Sequence, residues 1–184
     1  KNWGANSGDT ALILRAVGDY YLYYSDYENS EKYLLDALKI QKKFKDKLGQ
    51  EDRGMTYVSL SGLYEDNTQF DKAEKYIIKS IDLQKKLFGT QNIEYAYRLN
   101  AHASILKNKG FFTKAFEKYN EVLDIYDDLG YQGYEKSNAL NDLGLAYWEF
   151  GDYKKAEKYL KESLEKTLNF FGRKNIDYAN TIHN

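Results

Sequence analysis

The sequence predicts an all-α fold, a solenoid of tandem helix–turn–helix units, and three observations predict it. The chain of 184 residues contains no proline, the residue that breaks helices and that averages about 5% of globular sequences. Most of its 13 glycines fall in short connectors, as tight turns between helices require. One phrase is also written twice: "TQFDKAEKYIIKSIDLQKK" from Thr68 returns as "GDYKKAEKYLKESLEK" from Gly151. Both copies carry an aromatic residue, then Ala, then Tyr followed by an apolar residue.

Anchoring on the small residue of that phrase gives four copies, at Ser30, Ala73, Ala115 and Ala156, with a period of about 42 residues. Three residues before each anchor stands an aromatic: Tyr27, Phe70, Phe112 and Tyr153. Four after it come Leu34, Ile77, Tyr119 and Leu160, and eight after it Leu38, Ile81, Leu123 and Leu164. Steps of three and four mark one face of a helix, so each anchor opens the second helix of a unit. A first helix precedes it. Sixteen residues upstream stand Leu14, Tyr57, Leu99 and Leu140, and nine upstream Tyr21, Tyr64, Leu106 and Tyr147. Between them, twelve upstream, Gly18, Ser61, Ala103 and Gly144 are small enough to let two helix backbones approach closely.

First helices are expected near 9–24, 53–66, 93–109 and 134–150, and second helices near 27–48, 70–88, 112–129 and 153–171. The repeats then span 9–49, 53–89, 93–130 and 134–172, all in one array over 1–184. Gly49, Gly89, Gly130 and Gly172 stand where a helix C-terminus takes a left-handed residue. Residues 176–184 begin a fifth first-helix in which Ile176, Ala179 and Ile182 would cover the fourth unit. That incomplete unit, with Lys in place of Met at position 1, leads to the expectation of a fragment of a longer chain.

This pattern resembles the tetratricopeptide repeat, whose first helix carries Trp, Leu, Gly and Tyr and whose second carries Ala, an aromatic and Ala. The fourth unit shows Leu140, Leu143, Gly144, Tyr147, Ala156, Leu160 and Ser163. The usual unit is about 34 residues. The longer period and the connectors "FGTQNIEYA" and "FGRKNIDYA" resemble the kinesin-light-chain type. No unit has the consensus Trp or the closing Pro, and His102 replaces a consensus Leu in the third. The resemblance implies a right-handed superhelix with the first helices on its concave side, a protein-interaction scaffold, and a parent chain in which such repeats flank signalling, transport or peptidase domains.

Offsets from the anchors select the positions opposite the core stripe, and these are the expected peptide-binding residues. They are Arg15, Asp19, Leu22 and Tyr23 in the first unit and Val58, Gly62, Glu65 and Asp66 in the second. The third unit gives Asn100, Ser104, Lys107 and Asn108, and the fourth Asn141, Leu145, Trp148 and Glu149, with Asn138 one turn earlier. Asparagine both donates and accepts, so it can bracket a peptide backbone without reading its sequence. Trp148 beside Leu145 offers an anchor of the kind enriched at interface hot spots. The Lys-Asn-Asn-Lys-Arg set by which some relatives clamp a C-terminal carboxylate is not present.

Other classes of function find less support. Lys plus Arg total 27 and Asp plus Glu 28, a net charge of −1, without the basic excess of a nucleic-acid binder. The lysine run "KIQKKFKDKLG" from Lys39 reads as the solvated C-terminal part of a second helix, where cations are favoured. Most of the 19 tyrosines are expected on core positions. His102 occupies a core slot, and neither H-E-x-x-H, a phosphate loop nor G-x-S-x-G occurs. A non-enzymatic chain without metal or cofactor is expected. No apolar run reaches the length of a membrane span, and the absence of cysteine and of an Asn-x-Ser/Thr acceptor suits the cytoplasm. The expected partner is therefore a protein or peptide, not a nucleic acid or a membrane. The runner-up is a peptide-sensing module that controls an effector domain outside this sequence.

Overall fold

The computed structural model describes residues 7–171, all of whose regular structure is helical. The helices are α1 (Gly8–Tyr23), α2 (Tyr27–Gln41), α3 (Lys47–Asp66), α4 (Phe70–Phe88), α5 (Ile93–Asn108), α6 (Phe112–Asp128), α7 (Tyr134–Phe150) and α8 (Tyr153–Phe171). They form four hairpins, α1–α2, α3–α4, α5–α6 and α7–α8. The chain divides into two compact units, Lys1–Thr90 and Gln91–Asn184, and each holds two hairpins. The expected fifth first-helix, with Ile176, Ala179, Ile182 and Gly172, lies outside the described residues.

The four hairpin turns are equivalent down to the backbone. Five residues before each anchor the chain takes positive φ: Ser25 at 58°, Thr68 at 56°, Gly110 at 81° and Gly151 at 92°. The next amide then reaches back over the helix end, from Asp26 N to Tyr21 O at 2.9 Å, Gln69 N to Tyr64 O at 2.7 Å, Phe111 N to Leu106 O at 2.8 Å and Asp152 N to Tyr147 O at 2.9 Å. This six-residue closure satisfies carbonyls that a helix leaves open. Side chains cap four helix starts: Ser7 Oγ accepts from Thr10 N, Asp26 Oδ1 from Asn29 N, Asn92 Oδ1 from Tyr95 N and Asp152 Oδ1 from Lys155 N.

Packing inside the hairpins follows the anchors. The anchors are buried, as are Leu34, Ile77 and Tyr119 four residues on. The small positions permit close approach: a Cβ on Gly18 would lie 2.6 Å from Leu34 Cγ, and one on Gly144 would lie 2.8 Å from Leu160 Cγ. In the second hairpin Ser61 Oγ at the same position donates to Ala73 O at 2.9 Å. Two hydroxyls repeat the same lock two periods apart, Ser80 Oγ to Gly54 O and Ser163 Oγ to Ser137 O, each at 2.8 Å.

Tyrosines cross three of the hairpins as nearly parallel stacked pairs. Tyr21–Tyr33, Tyr64–Tyr76 and Tyr147–Tyr159 have ring centroids 5.5, 5.5 and 5.6 Å apart with interplanar angles of 4°, 11° and 6°. The third hairpin carries Leu106 and Lys118 at these positions. In unit 2 the stack continues, because Tyr147 also lies flat on Phe116 at 4.0 Å and 13°.

Four expectations are corrected. Helix α2 stops at Gln41 and α3 begins at Lys47, so the second helix does not run to 48. The chain doubles back at Gly49, where a Cβ would stand 2.4 Å from Phe44 Cβ; Gly49 is a packing glycine inside α3, not a left-handed cap. Consequently Lys42 and Lys45 leave the helix and enter the connector. Tyrosine burial is also narrower than expected: Tyr64, Tyr95, Tyr119, Tyr126 and Tyr147 are buried, whereas Tyr20, Tyr23, Tyr24, Tyr97 and Tyr153 are exposed. Tyr21, Tyr33, Tyr76 and Tyr159 are half-buried, and the hydroxyl of the buried Tyr64 donates to Glu31 Oε1. His102 is half-buried rather than buried.

Candidate functional site

In unit 2 the first helices α5 and α7 lie side by side and are joined at two levels. Asn100 Nδ2 on α5 donates to Asp142 Oδ2 on α7 at 2.7 Å. Two turns further along, Lys107 Nζ meets Glu149 Oε1 at 2.7 Å. Both links span 42 residues, one repeat, so equivalent turns of successive first helices hold each other.

Beside the first link opens a concavity of ≈ 250 Å³ lined by Tyr97, Asn100, Tyr126, Glu135, Asn138 and Asp142. That volume suits one side chain or a stretch of backbone, below the usual range for drug-sized ligands. Its chemistry is that of an acceptor. Asn100 Oδ1 is buried and has no hydrogen-bond partner, an unpaired acceptor of the kind native proteins rarely leave. Burial pushes the Asp142 carboxyl above the usual carboxylate range, against the opposing pull of the Asn100 amide and the Lys107 ammonium. Glu135 accepts from the Tyr131 hydroxyl, and this bond, with burial, pushes the Tyr131 phenol up to about 12. Burial and then Glu135 raise the Tyr126 phenol as well. Two carboxyl groups and an orphan amide oxygen thus face a space walled by two phenol rings.

Of the residues expected in this unit, Asn100 and Asn138 line the concavity. Lys107 is committed to Glu149 and serves as a strut. Leu145 is half-buried, and Asn141 and Ser104 are half-buried and engaged in contacts of their own. Asn108 is exposed, and Trp148 is exposed by 58%. Unit 1 presents its own set. Arg15 Nη1 lies 3.6 Å from Asp19 Oδ2, and Arg15 also opposes the burial that raises the Asp52 carboxyl, so it works between α1 and α3. Tyr23 is 83% exposed, and Val58 and Glu65 are half-buried.

Sequence offsets missed Tyr97, Tyr126, Glu135 and Asp142. Tyr97 was within reach, since it precedes Ala115 by the same 18 residues that separate Asn138 from Ala156. Asp142 follows Asn138 by one turn and shares its face. Tyr126 belongs to α6, and only packing places it behind the first helices.

The half-buried Asp142 gives this site a pH signature. Its folded-state pKa stands above the unfolded one, so stability falls as pH climbs through these values and remains reduced at neutrality. Asp142→Asn is expected to raise the stability of unit 2 by about 1 kcal/mol at pH 7, with the introduced amide free to pair with Asn100 Oδ1. Urea melts at pH 7 and pH 4 check this: the gain should shrink as the medium becomes acidic. A variant less stable than the parent at neutral pH contradicts the assignment.

Residues 96–167 match the tetratricopeptide repeat family, and residues 56–87 match it separately; together the matches cover more than half of the chain. No curated protein matches the sequence. Among solved structures, BtubC (BKLC) from P. vanneervenii is similar over 96% of this chain and 70% of its own, with 20% identity and a TM-score of 0.80. The Podosopora anserina kinesin light chain with nearly identical TPR-like repeats is similar over 91% of this chain and 80% of its own, with 16% identity and a TM-score of 0.71. A Rap protein complexed with Competence and Sporulation Factor is similar over 86% of this chain, with 18% identity and a TM-score of 0.75, and this chain spans 43% of it. At such identities these likenesses show the fold. Among the described residues no helix is long and apolar enough to cross a membrane, and no group of three or more His, Cys, Asp or Glu could hold a metal ion. On its repeated hairpins, its small-residue contacts and these family matches, the chain belongs to the tetratricopeptide repeat family, a family of protein-interaction scaffolds.

Proposed function

We propose that the chain is a non-catalytic module that binds a peptide segment of a partner protein on its first helices. In unit 2 the contact centres on the Asn100–Asp142 concavity. The observation that carries the reading is the buried, unpaired Asn100 Oδ1 beside a raised carboxyl. Together they form an acceptor site that a backbone N–H or a basic side chain would complete. Trp148 and Asn138 extend the contact along α7, and Asn108, Ser104, Asn141 and Leu145 flank it. In unit 1 the corresponding contacts are Arg15, Asp19, Tyr23, Val58 and Glu65. Rigid helices lose little entropy on binding, which favours an extended or helical peptide.

A second reading is a peptide sensor that passes its state to an effector domain, and the fold similarity to a Rap protein complexed with Competence and Sporulation Factor favours it. One experiment addresses both. A peptide array should select sequences with basic residues, and Asn100→Ala, Asp142→Asn and Trp148→Ala should each weaken the selected peptide by about tenfold or more. Unchanged affinity in all three variants rejects the site. Small-angle scattering of the same titration separates the readings, because a sensor changes its radius on binding and a rigid scaffold does not.

A further inference from the structure

Unit 1 holds a concavity of ≈ 560 Å³ lined by Lys42, Lys45, Arg53, Lys79 and Lys86, with Asp82 as its one lining carboxylate. Its construction follows from the early end of α2. Because α2 stops at Gln41, Lys42 and Lys45 enter the connector rather than continuing along a helix. On α4, Lys79, Asp82, Leu83 and Lys86 fall at steps of three and four and share one face. On α3, Arg53 and Tyr57 are one turn apart, and Tyr57 with Leu83 supplies the apolar wall.

Helix C-termini favour cations, and that rule accounts for Lys42 and Lys86, at the ends of α2 and α4, but not for Lys45, which stands just before the start of α3. It does not account for Arg53 and Lys79, which lie inside α3 and α4. None of the five cations has an ion-pair partner among the described residues. Lys79 rests instead against the Tyr57 and Tyr76 rings, at 5.8 and 5.1 Å. Burial, and then the nearby Lys75 and Lys42, hold the Lys79 ammonium below its usual range. Five cations thus share an open bowl with a single lining carboxylate, Asp82.

We propose that this bowl is an anion site for a polyphosphate group. An acidic peptide spreads single charges along its length, whereas a phosphate chain concentrates several within a volume of this size, as a convergent set of cations demands. The site is separate from the first-helix face of unit 2, and its test does not depend on peptide binding there.

The probe is inorganic tripolyphosphate, titrated calorimetrically into the protein at low salt. Saturable binding is expected. The double variant Arg53→Glu/Lys79→Glu should weaken it by at least about tenfold, while Lys154→Glu on α8 should leave it within about twofold. ATP distinguishes the sources of the group: equal affinity means the phosphate chain alone is read, and higher affinity means the base adds a contact with the Tyr57–Leu83 wall. Absence of binding, an equal loss in the Lys154 variant, or tighter binding of a glutamate-rich peptide overturns the proposal. Should the double variant fail to fold, amide shifts of the unaltered protein decide the matter. Shifts gathered on residues 42–57 and 79–86 support the site, and shifts spread over the lysines of both units reject it.

Discussion

Tyr147→Ala is expected to destabilise unit 2 by about 3–5 kcal/mol, the range for removing a buried aromatic ring. Tyr147 is 8% exposed and stands at the crossing of three helices. Its ring lies on Phe116 of α6 at 4.0 Å and on Tyr159 of α8 at 5.6 Å. Phe116 in turn meets Phe112 and Phe150, so the truncation opens a hole in a cluster rather than at an edge. Tyr147→Phe keeps both stacks and should stay within about 1 kcal/mol of the parent, because stacking belongs to the ring and not to the hydroxyl. Urea unfolding of the two variants checks the contrast. If alanine and phenylalanine behave alike, the ring stack contributes little and the hairpins are held by their aliphatic residues.

Gly144→Val acts in the opposite sense, by overfilling. The new Cβ alone would stand 2.8 Å from Leu160 Cγ and 3.2 Å from Leu160 N. The side-chain atom can rotate aside; the backbone nitrogen cannot move without separating α7 from α8. Valine in place of glycine gains a few tenths of a kcal/mol in helix propensity, whereas overpacking costs about 1–3 kcal/mol. A net loss of about 2 kcal/mol is expected, which for a unit of this size lowers Tm by roughly 10 °C. Adding Leu160→Ala relieves the contact, so the double variant should lose less than the sum of the single ones. Strict additivity would show that the two positions do not touch.

The hairpins were legible in the sequence because their geometry rests on steps of three and four and on small residues at one offset. Gly18 and Gly144 announce the approach of two backbones, and Gly89 and Gly130, both at positive φ, announce helix ends. Ser25 and Thr68 take the same positive φ with no glycine to reveal it; only their register relative to the anchors points to the turn. The end of α2 at Gln41 was not legible. Lys42 to Asp46 read as a helix by composition, and the packing of Phe44 against Gly49 overrides that preference. The candidate site was half-legible for a similar reason. Asn100 and Asn138 follow from offsets along single helices, while the Asn100–Asp142 bond and the Tyr126 wall arise from the spacing between helices, which no one-helix pattern encodes.

The stacked tyrosine pairs also bear on how such an array is assembled over evolutionary time. Tyr21–Tyr33, Tyr64–Tyr76 and Tyr147–Tyr159 each lie within one hairpin, so the clasp travels with the segment that encodes it. A duplicated or transplanted cassette arrives already fastened and needs only a compatible neighbour on either flank. The hairpin with Leu106 and Lys118 lacks that clasp, so such a segment depends on its flanking hairpins for the contacts that the others carry within themselves.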